Sequence, residues 1–548
     1  MNPAQLLAHF DRISDAPDAI TRLRRFILDL AVRGKLVEQD LRDEPASELL
    51  KRIKAERARL VKGGEKKKEL LPELSDEERP FELPHGWCLV RFGVIYSLEY
   101  GDNLPAEKRS NTGEYPVYGS NGIVGSHSVC FVRDPCIVVG RKGSAGALNL
   151  SVTEGCCVTD VAYYCIPSRE LDLIFSFKLF HTLGLDTLGK GIKPGLNRNE
   201  AYVLPLALPP LAEQHRIVAK VDELMALCDR LEASQAEQES RRDRLAASSL
   251  NRLNNGADAD AFRNHASFYF NHLPRLTTRP EHIQQLRQTI LNLAVRGKLV
   301  PQDPKDEPAS ELLSRIKKQR TKLLEQGYPN ESEASTQLRK QQRQFLPEGL
   351  GPLPLGWQWT TLMQCAALVI DCHNKTAPYS NTGIILLRTT NVRDGMLNLK
   401  EPKFVDAKTY ARWSARCQPE PGDILVTREA PMGEVCIIPE GMKICLGQRM
   451  MLARLVPKTI DPQFILYSLR DPSLMDRVQD KPVGATVQHL RVGGVETLLV
   501  PLPPLAEQHR IVAKVEELMA LCDRLEAQLT TTQTEGRRLL EAVLAESL

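Results

Sequence analysis

A segment reading LPPLAEQHRIVAKVDELMALCDRLEA at residues 208–233 returns at 502–527 with a single difference, Asp222 against Glu516. Few features constrain a fold so strongly, because a chain that repeats itself must build the same local unit twice. Two more blocks recur. LRRFILDLAVRGKLVEQDLRDEPASELLKRIK (23–54) pairs with LRQTILNLAVRGKLVPQDPKDEPASELLSRIK (286–317), and LPHGW ending at Trp87 pairs with LPLGW ending at Trp357. The offset grows from block to block, and residues 88–207 share almost no alignable sequence with residues 358–501. A duplicated, nearly constant frame encloses two dissimilar inserts.

The frame reads as helical. Leu23–Val37 has helical apolar spacing, and DEPASELLKRIKAERARL reads as a second helix capped at Asp43 or Glu44. Residues 62–83, rich in Lys and Glu, read as a solvated linker. In the longest repeat, Pro209 and Pro210 suit a first helical turn. Ile217, Val221, Leu224, Cys228 and Leu231 then follow heptad spacing, matched by Ile511, Val515, Leu518, Cys522 and Leu525 and extended by Leu529, Leu539 and Val543. Such a stripe needs a covering helix. The near-identity of the copies points to each other as partners, antiparallel about an internal two-fold; packing of each on its own domain is the alternative. Helices of roughly 35–40 residues would be rods of about 50–60 Å holding the inserts apart, and each added heptad would lengthen the rod by about 10 Å.

The inserts change character. PCIVVG, GDILVTR and VCIIP are short β-branched runs separated by Gly, Pro, Asn and Asp, the pattern of small mixed domains with long loops. The expected fold class is therefore α+β, with segments 1–61 (helical repeat), 62–80 (charged linker), 81–208 (first insert domain), 209–253 (spacer helix), 254–324 (second helical repeat), 325–350 (charged linker), 351–502 (second insert domain) and 503–548 (second spacer helix).

A chain of 548 residues exceeds one core. No apolar run of about eighteen residues exists to span a membrane, and MNPAQLLAHFDRISDAP lacks the form of a signal peptide. The thirteen cysteines never form C-x-x-C, and Cys88, Cys228 and Cys522 lie in apolar or helical patterns, which suits reduced thiols in the cytoplasm. With a net charge of +3, any nucleic-acid surface must be local. GRKGSAG at 140–146 does not meet the spacing of a phosphate loop, and neither H-E-x-x-H nor a nucleophile elbow occurs.

The duplicated frame around unlike inserts, with LPPLAEQHRIVAKV opening a long helix, closely resembles the specificity subunits of type I restriction–modification enzymes. YPVYGSNGIVG (115–125), LRTTNVRDG (387–395) and GDILVTR (422–428) resemble segments of that family's target recognition domains, and GKGIKPGLNRNEAYVLPLALPPL and VGATVQHLRVGGVETLLVPLPPL stand where the family closes each domain. The resemblance implies two recognition domains of mixed structure separated by an antiparallel coiled coil with pseudo-two-fold symmetry. It also implies a non-catalytic chain that binds a bipartite, asymmetric double-stranded DNA site. Two methyltransferase subunits, modifying adenine N6, and two restriction/translocase subunits would join it. S-adenosylmethionine, ATP and Mg would then sit on those partners, with no cofactor on this chain. A coiled-coil scaffold whose inserts bind proteins, or a nuclease with an unfamiliar site, are the competing functions.

If DNA is the ligand, Lys and Arg supply affinity through phosphates, while Arg, Lys, Asn and Gln at loop ends address base edges. In the first insert the candidates are Tyr118, Ser120 and Asn121; Arg141, Lys142 and Ser144; and Lys190, Lys193, Asn197 and Arg198. In the second they are Arg388, Thr389 and Asn391; Arg428; Gln448 and Arg449; and Thr486, Gln488 and His489. His215 and His509, in first helical turns, suit capping or packing better than metal binding. Trp87 and Trp357 suit core anchors. The exposed faces of the repeated helical blocks, with AVRGKLV, are the candidates for partner docking. No metal site is expected.

Overall fold

Helical spacing in the first block becomes α1 (Ala19–Val32), whose Ile20, Ile27 and Ala31 are buried. The computed structural model describes residues 16, 18–61, 74–75, 78–79, 81–189, 195–255, 258–373, 375–480, 482–483 and 488–547. The chain falls into two units, residues 1–238 with 532–548, and residues 239–531. Most of the first charged linker lies outside the described residues.

In the first unit α2 (Ala46–Val61) follows α1. Its start corrects the expected cap: the Gly86 carbonyl accepts the Ala46 amide at 2.8 Å, while Asp43 pairs with Arg216 at 2.6 Å and Glu44 with Arg52 at 2.7 Å. The first insert domain opens with β1 (Cys88–Arg91) and contains β2 (Glu99–Tyr100), β3 (Tyr115–Gly119), β4 (Gly122–His127), β5 (Cys136–Gly140), β6 (Leu148–Ser151), β7 (Cys157–Val158) and β8 (Ala162–Cys165). It closes with β9 (Pro205–Leu208), antiparallel to β1 with Cys88 opposite Leu208. The larger sheet has the order β2-β8-β5-β6 and the smaller β4-β3-β7. Phe92, Tyr96 and Phe180 cluster in its core with ring centroids 4.9–5.1 Å apart.

The long helix α3 (Leu211–Asn255) leaves β9 after two prolines. Its 45 residues give a rod of about 65 Å. Its seam is covered within the unit. Ile217, Val221 and Cys228 are buried in one cluster with Ile20, Ile27, Leu49 and Trp87, and Leu224 and Leu231 pack partly buried against it. Arg24 reaches Asp229 at 2.5 Å and Glu232 at 2.8 Å, whereas Gln39, past the end of α1, reaches Glu213 at 3.3 Å. The two helices are therefore antiparallel. This corrects the reading that the seam awaits the other spacer helix: heptads announce a stripe to be covered, and the preceding repeat block covers it.

The second unit repeats the plan with α4 (Pro280–Val295) and α5 (Ala309–Glu325). Its insert domain comprises β10 (Gln358–Thr361), β11 (Ala366–Asp371), β12 (Ile384–Leu387), β13 (Val392–Arg393), β14 (Met396–Leu397), β15 (Lys403–Val405), β16 (Ile424–Arg428), β17 (Met432–Ile437), β18 (Ile444–Leu446), β19 (Met450–Leu455) and β20 (Leu499–Leu502). The order β11-β19-β16-β17 matches the larger sheet of the first domain, β15-β12-β18 matches the smaller, and β10–β20 matches the closing ladder. In both smaller sheets the middle strand has one antiparallel and one parallel neighbour.

From β20 the chain enters α6 (Leu505–Ser547). Ile511, Val515 and Cys522 share a buried cluster with Ile283, Leu286 and Ile290, with Leu518, Leu525 and Leu529 packed against it. Arg287 pairs with Asp523 at 2.7 Å and Glu526 at 3.0 Å, as Arg24 does with its acids. Farther along α6, Leu540 and Val543 are buried with Ala16 and Ala19 in the first unit, with Leu539 beside them.

The second charged linker is also corrected. Within 325–350 a helix runs Glu331–Gln342, capped by Asn330. Gln337 is fully buried and exchanges hydrogen bonds with the Val369 backbone at 3.0 and 3.2 Å. Polar composition concealed this because amides, not apolar groups, carry the packing.

Candidate nucleic-acid interface

Each insert domain meets its long helix through the same joint. Trp87 Nε1 donates to Glu213 at 2.9 Å and Gln39 Nε2 to the same carboxylate at 3.3 Å. Trp357 and Gln302 each meet Glu507 at 3.0 Å. Both glutamates are 1% exposed, and burial pushes both carboxyls above their usual range. Gln214 ties the Pro209 carbonyl to the Asp172 amide, and Gln508 ties Pro503 to Asp461. Gly34 and Gly297, at φ of +67 and +66, end the two first helices where a Cβ would come within 2.4 and 2.5 Å of Pro84 and Pro354. The glycine of each AVRGK stretch thus serves internal packing. His215 and His509 are exposed beside Asp172 and Asp461.

In the first domain three loop ends converge. The β3–β4 turn meets the loop after β5 where Ser120 Oγ accepts from the Ser144 amide at 3.3 Å. A Cβ on Gly140 would fall 2.0 Å from the Ser144 carbonyl oxygen and 2.4 Å from that of Ser120. Lys142 is bridged to Gly195, and Leu196 donates to the Arg141 carbonyl at 2.9 Å. The guanidiniums of Arg141 and Arg198 each lie 4.6 Å from the Tyr100 ring centroid, a cation–π arrangement. Arg141 also donates to the Asp160 carbonyl at 3.0 Å, and Lys142 stands 3.8 Å from the Asp160 carboxylate. Asn121 is exposed at the turn tip, and Asn197 caps the short helix that begins with Arg198. Tyr118 is a correction: it is 7% exposed in a core cluster, because its place on β3 points it inward. Lys190 and Lys193 lie outside the described residues.

The second domain gathers the corresponding loops. Gly447 donates to the Leu387 carbonyl at 2.7 Å, Thr389 Oγ1 to that of Ala430 at 3.0 Å, Arg428 to that of Arg449 at 2.9 Å, and Leu490 to that of Arg428 at 2.9 Å. Residues 388–389, 428–430, 447–449 and 488–490 therefore share one patch, with Arg388, Thr389, Arg428 and Gln448 part-exposed and Arg449 and Gln488 exposed. His489 belongs to it through a backbone bridge to Val483. Arg449 pairs with Glu429 at 3.0 Å, and the Nε atoms of Arg388 and Arg428 are buried without a hydrogen-bond partner. Asn391 is the second correction. It is 4% exposed, and its amide accepts from Arg388 at 3.0 Å and donates to Asn398 at 2.9 Å, so it ties a loop. Thr486 lies outside the described residues. Among the described residues no group of three or more His, Cys, Asp or Glu could hold a metal ion, and no helix is long and apolar enough to cross a membrane.

Residues 409–532 match the family described as the type I restriction modification DNA specificity domain. The specificity subunit of the type I restriction enzyme EcoAI from Escherichia coli is 30% identical over 565 residues, covering 96% of this chain and 93% of the relative. The chain belongs to the type I restriction enzyme specificity subunits. The EcoEI specificity subunit of Escherichia coli is 28% identical over 569 residues, with the same two coverages. A crystal structure of the HsdS subunit from Thermoanaerobacter tengcongensis is 18% identical, covers 86% of this chain and 98% of that one, and gives a TM-score of 0.39. As a specificity subunit the chain supplies DNA recognition to a restriction–modification system and is not its catalytic component.

Three residues of the specificity subunit's loop clusters escaped the sequence reading: Tyr100, Asp160 and Glu429. Tyr100 sits in SLEYGDN, where no local pattern separates it from a core aromatic. Only the pairing of β2 with β8 brings it against Arg141.

Proposed function

We propose that this specificity subunit binds a bipartite, asymmetric duplex, each recognition domain reading one half through its loop cluster. The observation that carries the reading is that both domains have one strand order and one joint yet present different polar side chains at the same loop ends. One scaffold with two unlike reading surfaces suits two unlike half-sites. Contacts would come from Ser120, Asn121, Arg141, Lys142, Ser144, Asn197 and Arg198 in one domain, and from Arg388, Thr389, Arg428, Gln448, Arg449, Gln488 and His489 in the other, with Lys190, Lys193 and Thr486 as further candidates. The long helices α3 and α6 would set the gap between half-sites. The duplicated frame would seat two methyltransferase subunits acting at adenine N6, and two restriction/translocase subunits would complete the assembly. S-adenosylmethionine, ATP and Mg belong to those partners.

The test replaces residues 88–207 by the insert of another specificity subunit and maps methylated adenines in cells that also carry the methyltransferase partner. One half of the methylated motif should change completely while the other half and the gap persist. Changes in both halves, or in neither, would overturn the reading.

A further inference from the structure

The two loop clusters correspond through their backbone hydrogen bonds, although their sequences do not align. Arg141 follows β5 and Arg428 ends β16, the third strand in each larger sheet. Arg141 donates its amide to Val161, just before β8, as Arg428 donates to Arg449, just before β19. The Arg141 carbonyl accepts from Leu196, as that of Arg428 accepts from Leu490, all four bonds at 2.9 Å. Thr159 binds the end of β3 as Gly447 binds the end of β12. Among residues otherwise free to diverge, an arginine stands at the same node in both domains.

The Arg141 side chain is set for a two-donor contact rather than a diffuse charge contact. Arg141 is held by the Asp160 carbonyl and lies over Tyr100 at 4.6 Å and Tyr163 at 5.6 Å, so its fork is oriented before any ligand arrives. An oriented guanidinium offers two parallel donors, which fit a phosphate or a planar base edge with two acceptors; only the base edge ties the contact to sequence. In the major groove that edge is guanine O6 and N7. Around the arginine the settings differ: Lys142, Asp160 and Arg198 in one domain, Glu429, Arg449 and Thr389 in the other.

We infer that Arg141 and Arg428 are equivalent specificity-determining residues, each reading a guanine at the corresponding place of its own half-site, with the differing neighbours selecting the flanking bases. This rests on the proposed recognition of a bipartite duplex.

The experiment co-expresses the full chain with its methyltransferase partner and determines the methylated motif genome-wide for the wild type, Arg141→Ala, Arg428→Ala and both lysine variants. Each wild-type half should contain a guanine whose preference falls by about ten- to a hundredfold in one alanine variant only. Arg141→Lys, which keeps the charge but loses the fork, should relax the same position. It decides the matter if the alanine variant fails to fold. An unchanged motif, an equal loss across all sequences, full preference retained by the lysine variants, or relaxation at a base other than guanine would overturn the inference. A wild-type subunit that directs methylation to no bipartite motif would instead overturn the proposed function.

Discussion

The two recognition domains differ in nearly every residue and agree in strand order, while the frame around them agrees in both. Gly140 and Thr427 show how. Both occupy the last position before the equivalent arginine, yet one is a glycine under two carbonyl oxygens and the other a fully buried threonine. Thr427 Oγ1 donates to the Pro431 carbonyl at 2.6 Å and accepts from the Glu434 amide at 3.0 Å. Each domain has solved the same turn by a different route: close backbone approach in the first, a side-chain strut in the second. The lesson is that topology can persist where sequence similarity has vanished, because strand order depends on apolar patterning and loop ends do not.

Exchanging the two solutions breaks that comparison most severely. Gly140→Thr should destabilise the first domain by about 3 kcal/mol, since backbone must move to admit the side chain. Thr427→Gly should cost about 1–2 kcal/mol through the lost strut. Equal losses in chemical denaturation would mean that the loops are built alike after all.

The joints should instead respond in parallel. Trp87→Phe and Trp357→Phe each remove the indole donor to a buried glutamate and should each cost about 1–3 kcal/mol. A large inequality between them in thermal unfolding would separate the two units where their contacts agree.

The smallest effect concerns pH. Burial raises the carboxyl pKa of Glu213 and Glu507, so the folded state binds more protons than the unfolded state between the ordinary glutamate pKa and the raised one. Stability should fall as pH rises through that window, by at most about 1.4 kcal/mol per pH unit for each group. Glu213→Gln should flatten its share of the slope, and Glu507→Gln an equal share. A slope unchanged in both variants would show that the folded carboxyls titrate normally.

The frame was legible because helical periodicity and repetition are local signals. Its partners were less so: Ile217, Val221 and Cys228 announce a stripe, but α1 covers it through a fold the heptads cannot encode. Loop candidates such as Arg141 and Arg428 could be found from strand ends followed by polar residues. Tyr118 and Asn391 could not be sorted, since the face taken by a residue near a strand's end is ambiguous in sequence and a loop amide serves turns as readily as ligands. Glu331–Gln342 was hidden by its polar composition.

The β1–β9 ladder places Cys88 opposite Leu208, and β10–β20 places Gln358 opposite Leu502. The chain thus leaves the frame and rejoins it at neighbouring points, stitched by four residue pairs in each ladder. Two crossovers in the coding sequence at these points would exchange everything between them and leave the entry and exit points of the frame in place. Under the proposed function, heredity would then alter one word of the recognised text and leave the grammar intact.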